Sequence, residues 1–166
     1  MAERATGDLA PAVAVLAAGS WGDDAADRVL LGYEERFLRR RRLATEGGRA
    51  FLVDLPETVN LRGGEAFRLA DGTRVAVVAA PEPVLVVTGD LARLAWHIGN
   101  RHTPAQIEPD RLLIRADPVL EGMLAGLGAR VTRSMEPFRP ETGAYGTGRT
   151  MGHDHAGHAH GPGPHP

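Results

Sequence analysis

The hydrophobic pattern of this 166-residue chain changes at Pro81-Glu82-Pro83, and this change is the strongest constraint on its fold. Before this point, short apolar runs are separated by glycine turns. After it, apolar residues recur at helical spacing. Two prolines fix φ and bias the residues before them toward extended geometry. We therefore place a domain boundary, or at least a stiff hinge, at position 81.

The first part of the chain is predicted to be a β-rich domain over residues 1–80. Asp71-Gly72 lies between two apolar runs, which is typical of a hairpin because a type I′ turn needs positive φ at both central residues. Short strands joined by glycine turns indicate a barrel-like or sandwich-like domain. The predicted strands cover residues 9–18, 50–55, 66–69 and 75–78.

Helical spacing begins soon after the two prolines. Thr88 or Asp90 can cap a helix whose apolar residues recur at i, i+3, i+4 and i+7. Gly99-Asn100 is predicted to end this helix, because both residues tolerate left-handed geometry. The predicted apolar stripe is Leu91, Leu94, Ala95 and Ile98.

A second helix is predicted to begin at Asp117 and Pro118 and to end at Gly128. Its apolar stripe would be Val119, Leu120, Met123, Leu124 and Leu127. Short strands are predicted over residues 84–87, 105–107, 112–114 and 129–132, followed by an extended connector over residues 136–145. The resulting order βαββαβ predicts a ferredoxin-like domain over residues 81–149. The expected fold class is therefore α+β.

The C-terminal residues 150–166 form a third region, rich in Gly, Pro and His. Five of the seven histidines lie in the last fourteen residues. This composition predicts a disordered segment, in which a neutral imidazole can bind a transition metal. His153 and His155 are two residues apart, as are His158 and His160, so neighbouring rings can share one ion. These four histidines are candidate metal ligands.

The composition excludes several kinds of site. The chain has no cysteine, which excludes disulfides and thiolate metal sites, and no lysine, which excludes Schiff-base chemistry. A metal site must therefore use His, Asp, Glu or backbone groups, a set that suits Ni²⁺, Zn²⁺ or Cu²⁺. No apolar run approaches the ~20 residues of a membrane span, and no positively charged segment precedes residues 9–18. We expect a soluble, cytoplasmic protein without a membrane partner.

His102 is the fifth candidate metal ligand. Taken alone, a surface-loop histidine is the simpler interpretation, because one imidazole does not hold a divalent ion tightly. It becomes part of a site if a two-fold axis passes nearby, since an isologous dimer places a residue near the axis against its own copy. His97, one turn earlier, is either a surface or boundary histidine, or else a secondary ligand or a dimer contact.

Four arginines at positions 39–42 form the densest run of charge. Alternation along a strand would put two of them on each face, which suits an exposed edge strand protected from aggregation. Glu34 and Glu35 dilute the positive charge, and no aromatic residues accompany it. We therefore expect no nucleic acid partner, and an acidic protein partner is the remaining functional alternative.

An ordered set of short motifs resembles the urease accessory nickel metallochaperone family, usually called UreE. The central motif is Gly99-Asn100-Arg101-His102, after a helix and before Pro104. The others, in chain order, are Leu61-Arg62-Gly63-Gly64, Asp71-Gly72, Ala80-Pro81-Glu82-Pro83, residues 137–146 and the His-rich end. Each motif alone is weak, but the ordered set is specific, and the resemblance covers about residues 11–160.

This resemblance implies a β-rich N-terminal domain that binds partner polypeptides and a ferredoxin-like domain that forms a homodimer. One His102 from each chain would together hold a Ni²⁺ ion. Tail histidines would complete this site or supply it with ions. The implied partners are the urease accessory GTPase and, through the accessory complex, apo-urease, and the chain itself would catalyse no reaction. Some members carry extra metal histidines around Ala116 and Pro118. This chain has none there, which implies that His102 and the tail form its whole metal apparatus.

Three alternative functions stay open at this point. The first is a buffer or storage protein for Ni²⁺, Zn²⁺ or Cu²⁺, the second a small histidine–metal hydrolase, and the third an interaction module with an incidental tail. The hydrolase has little support, because Ser20 and Ser134 lie outside any nucleophile-elbow motif and no H-E-x-x-H motif is present. Binding through neutral imidazoles should weaken as the pH drops through roughly 6.5.

Overall fold

The computed structural model of the protein describes residues 7–142, which form two β-sheets, two α-helices and a short 3-10 helix at Glu34–Arg36. The predicted tail, with its four candidate ligands, lies outside the described residues. No helix in the described range is long and apolar enough to span a membrane. The strands are β1 Ala12–Leu16, β2 Asp27–Leu31, β3 Phe37–Ala44, β4 Ala50–Asn60, β5 Ala66–Leu69, β6 Arg74–Ala79, β7 Pro81–Thr88, β8 Gln106–Ile107, β9 Leu112–Arg115 and β10 Arg130–Pro137; the helices are α1 Leu91–Asn100 and α2 Pro118–Gly126.

The first sheet has six strands in the order β2-β6-β5-β1-β4-β3. The pairs β1–β4 and β2–β6 are parallel, and the others are antiparallel. The predicted hairpin at Asp71-Gly72 is confirmed, since it joins β5 to β6, but its turn is not type I′, because Gly72 has a φ of 85° whereas Asp71 has a negative φ. Alternate side chains of these strands point inward and build one core, which includes Phe51, Phe67 and Leu69.

The arginine run lies on β3, which is an edge strand of this sheet. Leu38 and Leu43 are buried at either end of the run, whereas all four arginines between them are exposed. Arg42 forms an ion pair with Asp8 at 2.9 Å. The predicted exposed edge strand is therefore confirmed.

Pro81 begins β7 and Pro83 lies within it, so the two prolines belong to a strand, and the chain changes from the first sheet to the second between β6 and β7. Their positions explain how a strand tolerates them. Pro81 pairs with Pro137 and Pro83 with Met135 on β10. The carbonyl of Pro83 faces the other neighbour and accepts a hydrogen bond from Ala116 N–H at 3.0 Å. The ring nitrogen of Pro83 faces the same side as this carbonyl. The pairing of β7 with β9 has already ended there, so the missing N–H of Pro83 removes little sheet hydrogen bonding.

The second sheet is antiparallel, in the order β10-β7-β9-β8. The elements from β7 to β10 follow one another as predicted, and both helices contribute to a core with β7 and β9. The apolar stripe of α2 was predicted too broadly. Leu120 and Leu124 are buried, but Val119 is 67% exposed and Leu127 is 43% exposed. Val119 lies a third of a turn from Leu120, and Leu127 follows the last helical residue.

The last strand is longer than the sequence suggested. Glu136 and Pro137 were assigned to an extended connector, but they belong to β10 and pair with β7. Phe138 follows them and is completely buried with Tyr33, Val84 and Leu113. Its ring meets the edge of the Tyr33 ring, with centroids 5.5 Å apart. This small cluster packs the two sheets together.

Candidate metal centre

Helix α1 positions His102, the one predicted metal ligand among the described residues. The helix begins after Asp90, whose carboxylate accepts a hydrogen bond from Arg93 N–H at 3.3 Å. This confirms Asp90, rather than Thr88, as the cap. Leu94 and Ile98 then anchor the helix in the core of the second sheet. A fixed helix carries the residues that follow it to a defined place on the surface.

The end of α1 is a Schellman motif. Thr103 N–H donates to the carbonyl of Ile98 at 3.4 Å, and His102 N–H donates to that of Gly99 at 2.9 Å. His102 has a φ of 56°, and within residues 7–142 it is the only non-glycine residue with positive φ. The helix ends at Asn100, as predicted, but neither Gly99 nor Asn100 supplies the left-handed residue, because both belong to the helix and the left-handed position falls on His102.

Helix α2 ends in the same motif and provides an internal comparison. Ala129 N–H donates to the carbonyl of Leu124 at 3.1 Å, and Gly128 N–H donates to that of Ala125 at 3.0 Å. Gly128 has a φ of 83°. Glycine is the usual residue at this position because it has no Cβ to clash in the left-handed region. His102 thus occupies a position where the backbone favours glycine, and left-handed non-glycine residues are concentrated at functional sites.

The exposed His102 lies where two clefts meet. The inter-sheet cleft has a volume of about 510 Å³ and is lined on one side by Leu61 and on the other by His102 and Pro104. The acidic cleft has a volume of about 470 Å³ and is lined by His102, Glu82 and Asp117. The imidazole can therefore be reached from solvent by an ion or by a partner's side chain.

Both carboxylates of the acidic cleft already accept backbone hydrogen bonds. Glu82 Oε2 accepts from Tyr33 N–H at 2.8 Å. Asp117 Oδ1 accepts from the first N–H groups of α2 at 2.8 and 3.0 Å, so Asp117 caps that helix as predicted. In the part of the chain that the structure describes, no three His, Asp or Glu side chains are grouped so that they could hold a metal ion. A tight site at His102 needs donors from elsewhere.

His97 lies apart from His102. It is half-buried, and its ring meets the edge of the Trp96 ring at a centroid distance of 5.1 Å. It lines neither of the two clefts. His153, His155, His158 and His160 lie outside the described residues, so their relation to His102 stays a prediction.

Two features of this region were not foreseen from the sequence. One is Arg36, which is 3% exposed and donates hydrogen bonds to the carbonyls of Leu31 and Phe138. No local pattern marks a buried arginine beside two exposed glutamates. The other is the left-handed backbone of His102, for which Pro104 was an available signal, because proline is common one to three residues beyond the end of a helix, and Pro104 follows the C-cap Arg101 by three.

Comparison with known proteins identifies the family. Residues 8–80 match the model for the N-terminal domain of the UreE urease accessory protein, and residues 82–165 match the model for its C-terminal domain. The chain is similar to urease accessory protein UreE of Rhodobacter capsulatus, with 72% identity over 85% of this chain and 90% of the relative. It is also similar to the protein of that name from Cereibacter sphaeroides, with 62% identity over 89% of this chain and 81% of the relative. The protein of that name from Ruegeria pomeroyi is 57% identical over 82% of this chain and 92% of the relative. Because the two models together span most of the chain, this protein belongs to the UreE family of urease accessory proteins.

Proposed function

We propose that this protein is a nickel metallochaperone that binds Ni²⁺ through histidines and delivers it for assembly of the urease active site. The observation that carries the proposal is the exposed His102, held by a Schellman motif where two clefts meet. Family membership supports the link to urease, since the relatives are named urease accessory proteins.

The proposed metal site belongs to a homodimer. One imidazole binds a divalent ion weakly, and the described part of a single chain adds no suitable cluster. Two copies of His102 across a two-fold axis would give one shared site. Exposed apolar side chains near the helices favour such an association: Trp96 on α1 is 63% exposed and Val119 on α2 is 67% exposed. A second copy that covers them would remove apolar surface from water.

The proposed mechanism is transfer by ligand exchange in the cytoplasm. The tail histidines His153, His155, His158 and His160 load Ni²⁺ and pass it to the paired His102 site in a ferredoxin-like domain. Ligand groups of the urease accessory GTPase then take over the ion, which passes through that partner to apo-urease. The β-rich domain contacts the partners. Because the chain has no cysteine, no thiolate makes the donor site too tight to release its ion. The chaperone itself catalyses no reaction.

Equilibrium dialysis with Ni²⁺ tests this assignment. His102→Gly should lose the tightest ion per dimer, and removal of residues 150–166 should lower the number of bound ions while leaving unfolding unchanged. His97→Gln is the comparison variant, because His97 lines neither cleft; tight binding retained in His97→Gln and lost in His102→Gly would assign the ion to His102. Tight binding that persists in His102→Gly would contradict the proposal. So would a monomeric nickel-bound protein in sedimentation equilibrium.

A metal buffer or storage protein would pass these binding tests, so a second experiment must separate it from a chaperone. Urease activation can be reconstituted with the accessory proteins at limiting Ni²⁺, with and without this protein. A chaperone should increase the activated fraction, and His102→Gly should remove the increase. A pure buffer would leave activation unchanged or reduce it by withholding the ion.

A further inference from the structure

The inter-sheet cleft carries more positive than negative charge. Three arginines line it, Arg36, Arg62 and Arg139, against one acidic residue, Glu141. Arg36 lines the cleft and is almost completely buried. A guanidinium has five N–H donors, and Arg36 uses two of them, one for each of two main-chain carbonyls. The cleft therefore offers a buried cation with donors to spare.

The other two arginines lie nearer the mouth. A Cβ built on Gly63 would lie 3.2 Å from Nε of Arg139, so this guanidinium lies directly against the Gly63 backbone, next to Arg62. Within residues 7–142, neither Arg62 nor Arg139 forms a side-chain ion pair. Glycine at position 63 gives the Arg139 side chain room to lie along this wall.

The electrostatic environment of Arg36 combines burial with one nearby carboxylate and one nearby guanidinium group. Burial lowers the pKa of Arg36, nearby Glu82 raises it, and Arg139 lowers it again by charge repulsion. An anion between the two guanidinium groups would reduce this repulsion and replace part of the lost hydration. Arginine is well suited to this role because its planar donor fork matches a carboxylate.

The walls of the cleft indicate what the anion carries. Leu61, Pro104, Ile107 and Pro140 supply apolar surface between the charged groups. The volume of about 510 Å³ falls in the range typical of small-molecule sites, roughly 300–1,000 Å³. An inorganic phosphate ion would leave the apolar walls without contact, whereas a short carbon skeleton with several carboxylates matches both surfaces.

We propose that the inter-sheet cleft binds a small organic polycarboxylate, with Arg36 as the buried anchor and with Arg62 and Arg139 closing over the ligand at the mouth. This binding does not depend on nickel. It would occur in the metal-free protein, so it can fail without affecting the proposed chaperone function, and the reverse also holds.

Titration calorimetry of the full-length, metal-free protein with citrate tests the proposal. At pH 8 the tail imidazoles are neutral, since their ordinary pKa is about 6.5, and so they attract little citrate. Wild type should bind one citrate per chain. Arg139→Gln and Arg62→Gln should each weaken binding about tenfold or more, because each removes a charge-assisted hydrogen bond. Both residues are exposed, so the variants should fold normally.

Arg40→Gln is the matched control. It makes the same change in net charge on exposed strand β3, on a residue that does not line the cleft, and should leave the affinity within about twofold of wild type. In an NMR titration, citrate should shift the Gly63 amide signal in wild type and much less in Arg139→Gln. An equal loss of affinity in Arg40→Gln would overturn the proposal, as would undetectable citrate binding. If phosphate bound as tightly as citrate, the proposal that the ligand is an organic molecule would be refuted.

Discussion

The substitution His102→Gly should remove a metal ligand and stabilise the fold at the same time. His102 occupies the left-handed position of a Schellman motif with a φ of 56°. Glycine is the preferred residue there, and it has no ring with which to bind an ion. Most substitutions of a functional residue leave open whether lost function reflects lost structure. This one should change the two properties in opposite directions.

The magnitude follows from the backbone and from the exposure of the side chain. An L-residue pays about 1–2 kcal/mol in the left-handed region, and glycine removes that penalty. Glycine also gives the unfolded chain more freedom, which lowers stability by about 0.5–1 kcal/mol. The imidazole is exposed, so its removal takes away little packing that would add to this cost. The net expectation is a gain of about 0.5–1 kcal/mol in the free energy of unfolding.

Urea unfolding of metal-free protein, followed by circular dichroism, measures this gain, and Ni²⁺ titration of the same sample measures the lost site. Gly128→Ala is the reciprocal control, because Gly128 holds the same position at the end of α2 with a φ of 83°. Alanine there acquires the left-handed penalty, so the free energy of unfolding should fall by about 1 kcal/mol. The two substitutions act on the same motif in opposite directions.

A result of the opposite sign would refute this reasoning. If His102→Gly destabilised the metal-free protein by 1 kcal/mol or more, the imidazole would be contributing contacts to the fold. Loss of nickel binding in that variant could then be a consequence of altered structure. Unchanged stability in Gly128→Ala would show that the left-handed position carries no penalty here.

Three further predictions concern stability. Phe138→Ala should lower the free energy of unfolding by about 3 kcal/mol in urea titrations, because it empties the cluster between the sheets; a loss below about 1 kcal/mol would contradict that packing role. Asp117→Ala should cost about 1 kcal/mol by the same measurement, since it leaves two N–H groups of α2 without their cap, and an unchanged midpoint would argue against capping. Arg111 donates hydrogen bonds to Glu108 and Glu136 and lowers the pKa of both carboxyl groups below their ordinary value near 4.5. The stability that these two carboxylates contribute is complete above that pH and is lost as the pH falls through their lowered pKa values. Arg111→Gln should therefore unfold at a higher pH than wild type in an acid titration. Coincident unfolding curves would refute this linkage.

Local patterns in the sequence determined most of the secondary structure. The Asp71-Gly72 hairpin, the Asp90 and Asp117 caps and the order of elements from β7 to β10 all depend on residues close together in the chain. Turn conformation and helix capping depend on a few neighbouring backbone groups, so sequence spacing is enough to identify them. His102 could be selected as a candidate ligand for a similar reason, because it follows a helix in a recognisable motif.

Tertiary structure alone decided where these elements meet and what surrounds His102. A strand passes through Pro83 because β9 ends before it would need that nitrogen. Phe138 is buried because Tyr33, from the segment after β2, and Val84 and Leu113, from the second sheet, converge on it. The arginines of the inter-sheet cleft are more than a hundred residues apart at their extremes, and only the packing of one sheet against the other places them together. The same packing puts His102 at the junction of two clefts. Burial and charge at such sites are sums over residues distant in the chain, and no local pattern records them.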